Sequence, residues 1–265
     1  MSGNLKKDLD RGVLRLTLSR PDKRNALTFA MCRELVEVLE EADNDPQVGV
    51  VLLGAEGKSF CAGMDLEEAR MADAAAQAAV HEELFTIGFR LRKPLLAAVQ
   101  GAALGGGTGL VANAHIVVSC EEATFGLTEV RLGLWPFVVF RAAAWAMGER
   151  RTLELALTGR IFGAAEALRL GLVHEVVPAS LLRERAGHIA AALAASSREA
   201  IRRGLEFVSR ARSLSPEQAG ALAAEFRNRA FASADFAEGV RAFREKRAPR
   251  WPSLTHGGDR GAADQ

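Results

Sequence analysis

Short apolar runs and longer stretches of helical periodicity alternate along the first half of the chain. Strand-like runs occupy residues 13–18, 48–53, 95–100, 115–119 and 123–125. Between them, apolar residues recur three and four positions apart over residues 28–43 and 74–92, which predicts two helices. Thr28 is a candidate N-cap for the first helix, and Lys93-Pro94 ends the second.

The second half of the chain has mostly helical patterning. Helices are predicted over residues 138–147, 151–158, 164–170, 179–195, 198–210, 216–231 and 235–247. Strand–helix units followed by a helical third indicate an α/β core with a helical extension. We expect the core to span residues 1–196 and the C-terminal helical region 197–248. The tail over 249–265 is rich in Pro, Gly, Asp and Arg, so we expect it to be disordered.

Composition and charge exclude several classes of partner. Of the 265 residues, 49% are hydrophobic and 25% are charged, and the formal net charge is +1. So small a charge creates no broad field that favours nucleic acid or an anionic membrane. No apolar run is long enough to span a bilayer, and the polar N-terminus lacks a signal-peptide core. We therefore expect no nucleic-acid partner and no membrane partner.

The cysteines and histidines favour neither disulfides nor a metal site. Cys32, Cys61 and Cys120 are odd in number and widely spaced, which indicates a reducing compartment, and we expect a cytoplasmic protein. The five histidines are scattered, and neither His-Glu pair has the second histidine of a zinc protease motif. We expect no metal ligand among them.

A glycine-rich stretch over residues 101–109 fails the tests for nucleotide-binding loops. It reads GAALGGGTG, which matches neither the dinucleotide fingerprint G-x-G-x-x-G nor a phosphate-binding loop ending in Lys-Ser or Lys-Thr. The chain also has no G-x-S-x-G nucleophile elbow. By itself, the stretch is equally consistent with a tight turn between a strand and a helix.

Three segments taken together are far more specific. They are SFCAGMDL at residues 59–66, GAALGGG at 101–107 and ATFGLTEVRLG at 123–133. In order and spacing they resemble the crotonase superfamily, which contains the enoyl-CoA hydratases and isomerases. The resemblance extends from RPDKRNAL at 20–27 through LTG at 157–159, GLV at 171–173 and VVP at 176–178 to EGVRAFREKR at 238–247.

The resemblance implies a fold, a substrate class and an assembly. The fold would be a crotonase-like α/β spiral of ββα and βαβ turns, with C-terminal helices that mediate trimer formation. The substrate would be an acyl-CoA, with no cofactor beyond its CoA moiety. The assembly would be a homotrimer or a hexamer made of two trimers.

The resemblance also implies two backbone donors for the thioester oxygen. The matching N–H groups are those of Met64 and Gly106. Small neighbouring residues would let the backbone approach the ligand closely. Gly106 would lie near a helix N-terminus, whose partial positive charge favours an enolate oxygen.

Glu129 matches a family position that supplies an acid/base carboxylate. A carboxylate poised over the α or γ carbon can move a proton once the thioester is polarised. The alternative is an ordinary solvated carboxylate paired with Arg131.

Gly109 departs from the family pattern. Two-carboxylate hydratases carry a second glutamate at this position, and two carboxylates hold a water well. We therefore expect double-bond isomerisation to be favoured over hydration, and Gly109→Glu to raise hydration if the backbone tolerates a side chain. Glu82, Glu83 or Asp73 could replace the lost group, giving a 2-enoyl-CoA hydratase. A non-catalytic acyl-CoA binding protein is a further alternative, and so is another reaction of the family, such as thioester hydrolysis or decarboxylation.

The resemblance carries over a set of substrate contacts. For Lys23 and Arg24, binding of CoA phosphates and an ordinary solvated charge run are both open. Trp135 could reshape the acyl pocket or belong to the core. Lys246 would come from a neighbouring subunit, with Phe243 beside it. The full set is Lys23, Arg24, Ala26, Ala62, Asp65, Leu66, Gly105, Trp135, Phe243 and Lys246.

Overall fold

The computed structural model describes residues 3–69 and 74–255. The strands among these residues are β1 (Leu5–Asp10), β2 (Val13–Leu18), β3 (Val50–Ala55), β4 (Leu95–Val99), β5 (Ala102–Leu104), β6 (Ile116–Cys120), β7 (Thr124–Gly126), β8 (Ile161–Gly163) and β9 (Glu175–Val177). The helices are α1 (Phe29–Asn44), α2 (Leu66–Ala69), α3 (Ala74–Thr86), α4 (Gly106–Asn113), α5 (Phe137–Met147), α6 (Glu149–Thr158), α7 (Ala164–Leu170), α8 (Leu182–Ala194), α9 (Arg198–Ala211), α10 (Pro216–Phe231), α11 (Ala234–Glu245) and α12 (Pro252–Thr255).

Two sheets run side by side and share successive segments of the chain. The larger sheet has the order β1-β2-β3-β4-β6-β9, and its pairs are parallel except for β1 with β2. The smaller sheet has the order β5-β7-β8. The chain passes from β4 to β5, returns through α4 to β6, and crosses again to β7. Each turn therefore adds a strand to both sheets, which produces a spiral.

The predicted strands and helices follow the buried positions. The first helix buries Met31, Leu35 and Leu39 on one face, and the Thr28 side chain accepts the backbone N–H of Met31 as its N-cap. The runs that read as continuous apolar strands are the central parallel strands, buried on both faces. Helix α8 packs across β3, β4 and β6 on one face of the larger sheet.

Four strands were not predicted. Strand β1 reads LKKDLD, and five of its six residues are exposed, because it is an edge strand that pairs only with β2. Strands β5, β8 and β9 have three residues each, too few to show a period. Their partners lie in distant parts of the chain, so pairing rather than local preference creates them.

The helix predicted over 74–92 ends earlier, at Thr86, and a 3₁₀ turn over Ile87–Phe89 follows. The turn brings Gly88 against α4, where a Cβ atom on Gly88 would stand 2.0 Å from the carbonyl oxygen of Asn113. The Asn113 side chain in turn accepts the Gly88 N–H at 3.1 Å. A glycine is needed because the two backbones touch.

Helices α9 to α12 pack against one another at the C-terminal end. One attachment to the rest of the molecule is the guanidinium of Arg212. It stacks at 4.4 Å from the ring centre of Phe89 and 4.2 Å from that of Trp145. The domain boundary at residue 196 stays a prediction.

The tail is ordered further than the composition indicated. Buried Asp235 accepts the N–H of Ser253 at 3.0 Å, and buried Glu238 accepts the N–H of Arg250 at 2.7 Å. These buried carboxylates hold residues 249–255, which include α12. Disorder was expected there because composition does not reveal buried partners in α11. Residues 256–265 lie outside the described residues.

Cys32, Cys61 and Cys120 are all free and buried. In the described part of the chain, no helix combines the length and the apolar character that crossing a membrane requires.

Candidate active site

The candidate site lies where the segment after Cys61 meets the glycine-rich turn. Leu27 donates its N–H to the carbonyl of Gly63 at 2.8 Å, and Asp65 donates its N–H to the carbonyl of Leu27 at 2.8 Å. In such a parallel bridge the residue between the two bonded neighbours faces away from the partner strand. The N–H of Met64 therefore points to the opposite side.

The second donor is Gly106, the first residue of α4. The first N–H groups of a helix have no partner within the helix. A Cβ atom on Gly63 would stand 3.6 Å from the Gly106 nitrogen and 3.0 Å from the Leu104 carbonyl oxygen. Gly63 has a φ of +99°, so the close approach and the backbone conformation both require glycine. Among residues 3–69 and 74–255, no hydrogen bond occupies the N–H of Met64 or of Gly106.

Buried contacts hold the glycine turn in place. A Cβ on Gly107 would lie only 2.2 Å from the Cys61 carbonyl oxygen. The fully buried hydroxyl of Thr108 donates to the Ala103 carbonyl at 2.7 Å and accepts the Gly126 N–H at 3.1 Å. Thr108 thereby ties β5 to β7, and the turn cannot shift without breaking these bonds.

Glu129 reaches the same place from the end of β7. It opens a 3₁₀ turn, and its Oε1 atom lies 3.2 Å from the point where a Cβ of Gly105 would stand. Its Oε2 atom is buried and has no hydrogen-bond partner in the described structure. Burial raises the pKa of the Glu129 carboxyl. Within the described part of the chain Glu129 forms no ion pair with Arg131, so the solvated-pair alternative lacks its contact.

The position of the missing second carboxylate is filled by apolar side chains. A Cβ on Gly109 would stand 2.7 Å from Cδ1 of Phe85 and 3.0 Å from Cγ2 of Val139. Both side chains are buried, so neither has open space to move into. The expected gain in hydration from Gly109→Glu depended on tolerance of a side chain at this position, and the native packing leaves no room for one. Overpacking of a filled core costs about 1–3 kcal/mol.

The three candidate substitutes for that carboxylate are not equivalent. Glu82 forms an ion pair with Arg141 of α5. Glu83 is exposed on α3. Asp73 lies outside the described residues.

Four of the predicted substrate contacts lie on two neighbouring segments next to Met64. They are Arg24, Ala26, Ala62 and Asp65. Ala62 donates its N–H to the Arg24 carbonyl at 3.0 Å, which joins the two segments. The carbonyl of Ala26 accepts Arg20 Nη1 at 3.1 Å, and the same nitrogen binds the Asp65 carboxylate at 2.7 Å. This pairing lowers the pKa of Asp65. Asp65, the neighbour of Met64, is therefore linked through Arg20 to the segment that contains Ala26.

The remaining predicted contacts lie on exposed segments near the site or on other elements. Lys23 is exposed and lies 3.7 Å from Glu67, and Leu66 is exposed at the start of α2. Trp135 is half-buried against the core with its ring 6.1 Å from that of Phe140.

Phe243 and Lys246 lie on and just beyond α11, which packs against α10 and α12. The Phe243 side chain is 85% exposed, so it has no packing role within its own subunit. The structure therefore groups Gly105 with Gly106 and Glu129, and leaves the two C-terminal residues in the helical region.

Sequence reasoning missed several residues that build the site. Asn25 is fully buried; its side chain accepts the Arg20 N–H at 2.8 Å and donates to the carbonyls of Glu56 and Ser59, each at 2.9 Å. The asparagine inside the RNAL segment was an available signal, because asparagine is enriched at positive φ, and Asn25 has a φ of +54°. Phe85 carried no local signal, because only the packing of α3 on α4 brings it to the glycine turn.

The thiol beside the site is not ionised, and no metal cluster accompanies these groups in the described residues. Burial raises the pKa of the Cys61 thiol to about 12, so it stays protonated beside the site. No group of three His, Cys, Asp or Glu side chains within residues 3–69 and 74–255 is placed to hold a metal ion.

Two free backbone N–H groups and a half-buried carboxylate on a two-sheet spiral agree with the class of acyl-CoA enzymes that the sequence resembles. A family model described as enoyl-CoA hydratase/isomerase matches residues 8–254. The chain belongs to the enoyl-CoA hydratase/isomerase family, an enzyme family that acts on acyl-CoA substrates.

Similar proteins and structures agree with this assignment. The chain is 37% identical over 249 residues to the mevalonyl-coenzyme A hydratase of Aspergillus fumigatus, covering 90% of this chain and 91% of that protein. It is 33% identical over 250 residues to an enoyl-CoA hydratase of Mycobacterium tuberculosis, covering 90% and 92%. An enoyl-CoA hydratase structure from Mycobacterium smegmatis matches with a TM-score of 0.89 at 33% identity, over 94% of this chain and 98% of that chain. These matches confirm the crotonase-like α/β fold.

Proposed function

We propose that this protein isomerises the double bond of 3-enoyl-CoA thioesters in preference to hydrating 2-enoyl-CoA thioesters. Two observations together carry the proposal. Glu129 is half-buried and its Oε2 atom is buried without a hydrogen-bond partner in the described structure, and an apolar plug made of Phe85 and Val139 fills the space at Gly109. One carboxylate suffices for a proton shift, whereas hydration needs a water that is held and deprotonated.

The first step is polarisation of the thioester. The N–H groups of Met64 and Gly106 would donate to the thioester oxygen, and the N-terminus of α4 would add favourable potential. Both hydrogen bonds become stronger as negative charge develops on that oxygen. The α-protons of the acyl chain therefore become acidic while the oxygen is held.

The second step is proton transfer by Glu129. Its ionised carboxylate would remove a proton from the α carbon, and the resulting carboxylic acid would return it to the γ carbon. The raised pKa of Glu129 suits this role, because a base works best when its pKa lies closer to the working pH. Glu129 starts and ends the cycle ionised, so the protons balance without water.

The apolar plug supports this choice of reaction. Phe85 also lies close to the oxyanion-hole glycine, since its Cζ atom is 3.2 Å from the position that a Cβ of Gly106 would take. A water placed at Gly109 would meet an aromatic ring and the Val139 methyl group and find few hydrogen-bond partners there. Glu82, one candidate for a substitute carboxylate, pairs with Arg141.

The test is a matched assay of purified protein with 2-hexenoyl-CoA and 3-hexenoyl-CoA. We expect the 3-enoyl thioester to be converted to the 2-enoyl thioester faster than the 2-enoyl thioester is hydrated. Fast hydration without detectable isomerisation would overturn the proposal.

Hydration is the second candidate, because the relatives described above are named as hydratases. It requires a substitute carboxylate. The same assay distinguishes it, and a protein that binds acyl-CoA but converts neither thioester would be the non-catalytic binder.

We also infer that the C-terminal helices assemble three subunits, or two such trimers, with Lys246 reaching a neighbour's CoA. The exposed aromatic side chains of α10 and α11 support an interface: Phe231, Phe236 and Phe243 are 49%, 44% and 85% exposed. The cytoplasmic location and the absence of a cofactor beyond CoA stay predictions.

A further inference from the structure

A cavity of about 240 Å³ lies at the edge of the larger sheet where β3 and β4 begin. Val48 and Gly49 precede β3 and Pro94 precedes β4, while the end of α1 and the first turns of α9 supply other walls. Met64 and the glycine turn follow the opposite ends of these strands. A strand rises about 3.3 Å per residue, so the five residues of β4 place about 16 Å between the cavity and the glycine-rich stretch.

The walls of this cavity carry an excess of positive charge. Four of the lining side chains are cationic, namely Arg92, Lys93, Arg198 and Arg202. Among the described residues that line the cavity, only Asp43 carries a carboxylate. Asp43 accepts Arg92 Nε at 2.8 Å, so it compensates that cation. Three cationic side chains are left without a carboxylate in the lining.

Carbonyl oxygens hold two of these cations without neutralising them. Lys93 Nζ donates to the Ala42 carbonyl at 2.6 Å. Arg198 donates through Nη1 to the Pro46 carbonyl and through Nη2 to the Gln47 carbonyl, the latter at 3.4 Å. The Nε atom of Arg198 is buried and has no hydrogen-bond partner within residues 3–69 and 74–255. Because a carbonyl group carries no net charge, both side chains keep theirs.

The cations lie close enough to act on one another. Burial lowers the pKa of Lys93 to about 8. Asp43 and Asp45 oppose this shift, but Arg198 and also Arg92 add to it. The side chains therefore repel each other in a partly buried place, and an anion between them would relieve that repulsion.

The remaining walls indicate the kind of anion. Arginine side chains match the oxygens of a phosphate group, and several cations suit a dianion better than a single carboxylate. A water molecule takes up about 30 Å³ in the liquid, so the cavity has the volume of about eight waters, more than a phosphate group alone needs. The apolar lining residues are Pro46, Val48, Pro94 and Ile201, which can contact an uncharged part of the ligand.

We propose that this cavity binds a small phosphomonoester, with the phosphate group against the cationic side chains and the organic group against the apolar ones. The site is separate from the candidate active site, and it does not depend on the proposed isomerisation.

Titration calorimetry of the full chain at constant ionic strength tests the proposal with phenyl phosphate, inorganic phosphate and benzoate. We expect one phenyl phosphate to bind per subunit, more tightly than inorganic phosphate. Benzoate has the ring but only one negative charge, so it should bind at least about tenfold more weakly than phenyl phosphate. Equal affinity for the two phosphates would overturn the ester and assign the cavity to free phosphate, and equal affinity for benzoate would overturn the phosphate preference.

Two arginine variants on one helix give a matched comparison. Arg202 and Arg210 both pair with Glu206, at 3.3 Å and 3.4 Å, but only Arg202 lines the cavity. Arg202→Gln should weaken phenyl phosphate binding about tenfold, the effect of losing a hydrogen bond between charged groups. Arg210→Gln should leave the affinity unchanged. Absence of saturable binding by the wild type, or unchanged affinity in Arg202→Gln, would overturn the proposal.

Competition with hexanoyl-CoA shows whether the cavity is a separate site. Saturating phenyl phosphate should leave the affinity for hexanoyl-CoA unchanged, because the cavity and the glycine turn lie at opposite ends of β4. Competition between the two ligands would assign the cavity to a phosphate of CoA and overturn the separate site.

Discussion

Phe85 of α3 lies directly against Gly109 of α4, at a distance where a Cβ atom on the glycine would approach the aromatic ring to 2.7 Å. Real Cβ atoms do not approach other atoms this closely, so the ring and any side chain at position 109 exclude each other. The residue that fills the place of the second carboxylate therefore comes from another helix.

The first prediction concerns this exclusion. Gly109→Glu alone should lower the free energy of unfolding by about 1–3 kcal/mol. It should not raise the rate of hydration. The double variant Gly109→Glu with Phe85→Ala should recover stability relative to the single variant and hydrate 2-hexenoyl-CoA faster. Denaturant unfolding and the hydration assay measure the two effects. Phe85→Ala alone is the control, and a stable, faster-hydrating Gly109→Glu would contradict the prediction.

The second prediction concerns the donor at Gly106. Gly106 opens α4, a position where proline fits the helix, so Gly106→Pro removes the N–H with little change in helix geometry. Turnover should fall by at least about 10²-fold. Gly106→Ala keeps the N–H and meets Phe85 at 3.2 Å, which makes it the control for crowding. A folded proline variant with full activity would show that Gly106 is not a donor.

The third prediction concerns Glu129. Glu129→Gln should lower kcat by about 10²–10⁴-fold for both isomerisation and hydration while leaving binding of hexanoyl-CoA nearly unchanged. The wild-type rate should fall on the acid side at a pH above that of an ordinary carboxyl, because the raised pKa leaves the base protonated there. Glu121→Gln, at an exposed position, should change neither quantity. Retained activity in Glu129→Gln would assign the proton transfer to another group.

The fourth prediction concerns stability at acidic pH. His115 Nδ1 accepts the Leu95 N–H of β4 at 2.9 Å, and His174 Nδ1 accepts the Val117 N–H of β6 at 3.1 Å. Each of these hydrogen bonds requires that Nδ1 carries no proton. Burial lowers the pKa of His115 to about 4 and also lowers that of His174. For His115, Gly88 and Asp43 oppose the shift, and Arg212 adds to it.

Both shifts have the same sign. Between about pH 6.5 and pH 4, the unfolded chain binds a proton at His115 that the folded chain does not, so the free energy of unfolding should fall as the pH falls. Above pH 7 these groups should contribute no slope. Urea unfolding at several pH values measures the effect. His115→Asn keeps an acceptor without the titration and should reduce the slope, whereas His188→Asn should not; an unchanged slope in His115→Asn would contradict the assignment.

The fifth prediction concerns assembly. Sedimentation should show a trimer or hexamer at micromolar concentration, and Lys246→Ala should raise KM for the CoA thioester. Mixing Glu129→Gln subunits with Lys246→Ala subunits should restore part of the activity, because a mixed oligomer contains sites with an intact Glu129 and a neighbour's intact Lys246. A monomer, or mixed oligomers no more active than the separate variants, would argue against shared sites.

Local sequence was sufficient for the elements whose pattern is repeated over many residues. The buried face of α1 and its Thr28 cap follow from spacing alone, and the apolar runs of β3 and β4 follow from burial on both faces. Strand β5 could not be predicted in this way. It has three residues, and it exists because Ala103 pairs with Phe125 of β7.

The chemistry of the site divides in the same way. The order of three segments, and the family that they resemble, were enough to choose Met64, Gly106 and Glu129 as candidates, since each belongs to a motif that is contiguous along the chain. The sequence also showed that Gly109 lacks a carboxylate. The burial of Glu129 Oε2 without a hydrogen-bond partner depended on how the segment after β7 packs against the glycine turn.

What replaces the missing carboxylate was decided only by tertiary structure. Phe85 and Val139 are 24 and 30 positions away from Gly109, and nothing in their local pattern distinguishes them from other core residues. They meet because α3, α4 and α5 pack together, and close packing lets a glycine on one helix accept a ring from another. Sequence by itself determined which backbone groups and which acid this protein offers, whereas packing between distant helices determined the space left around them.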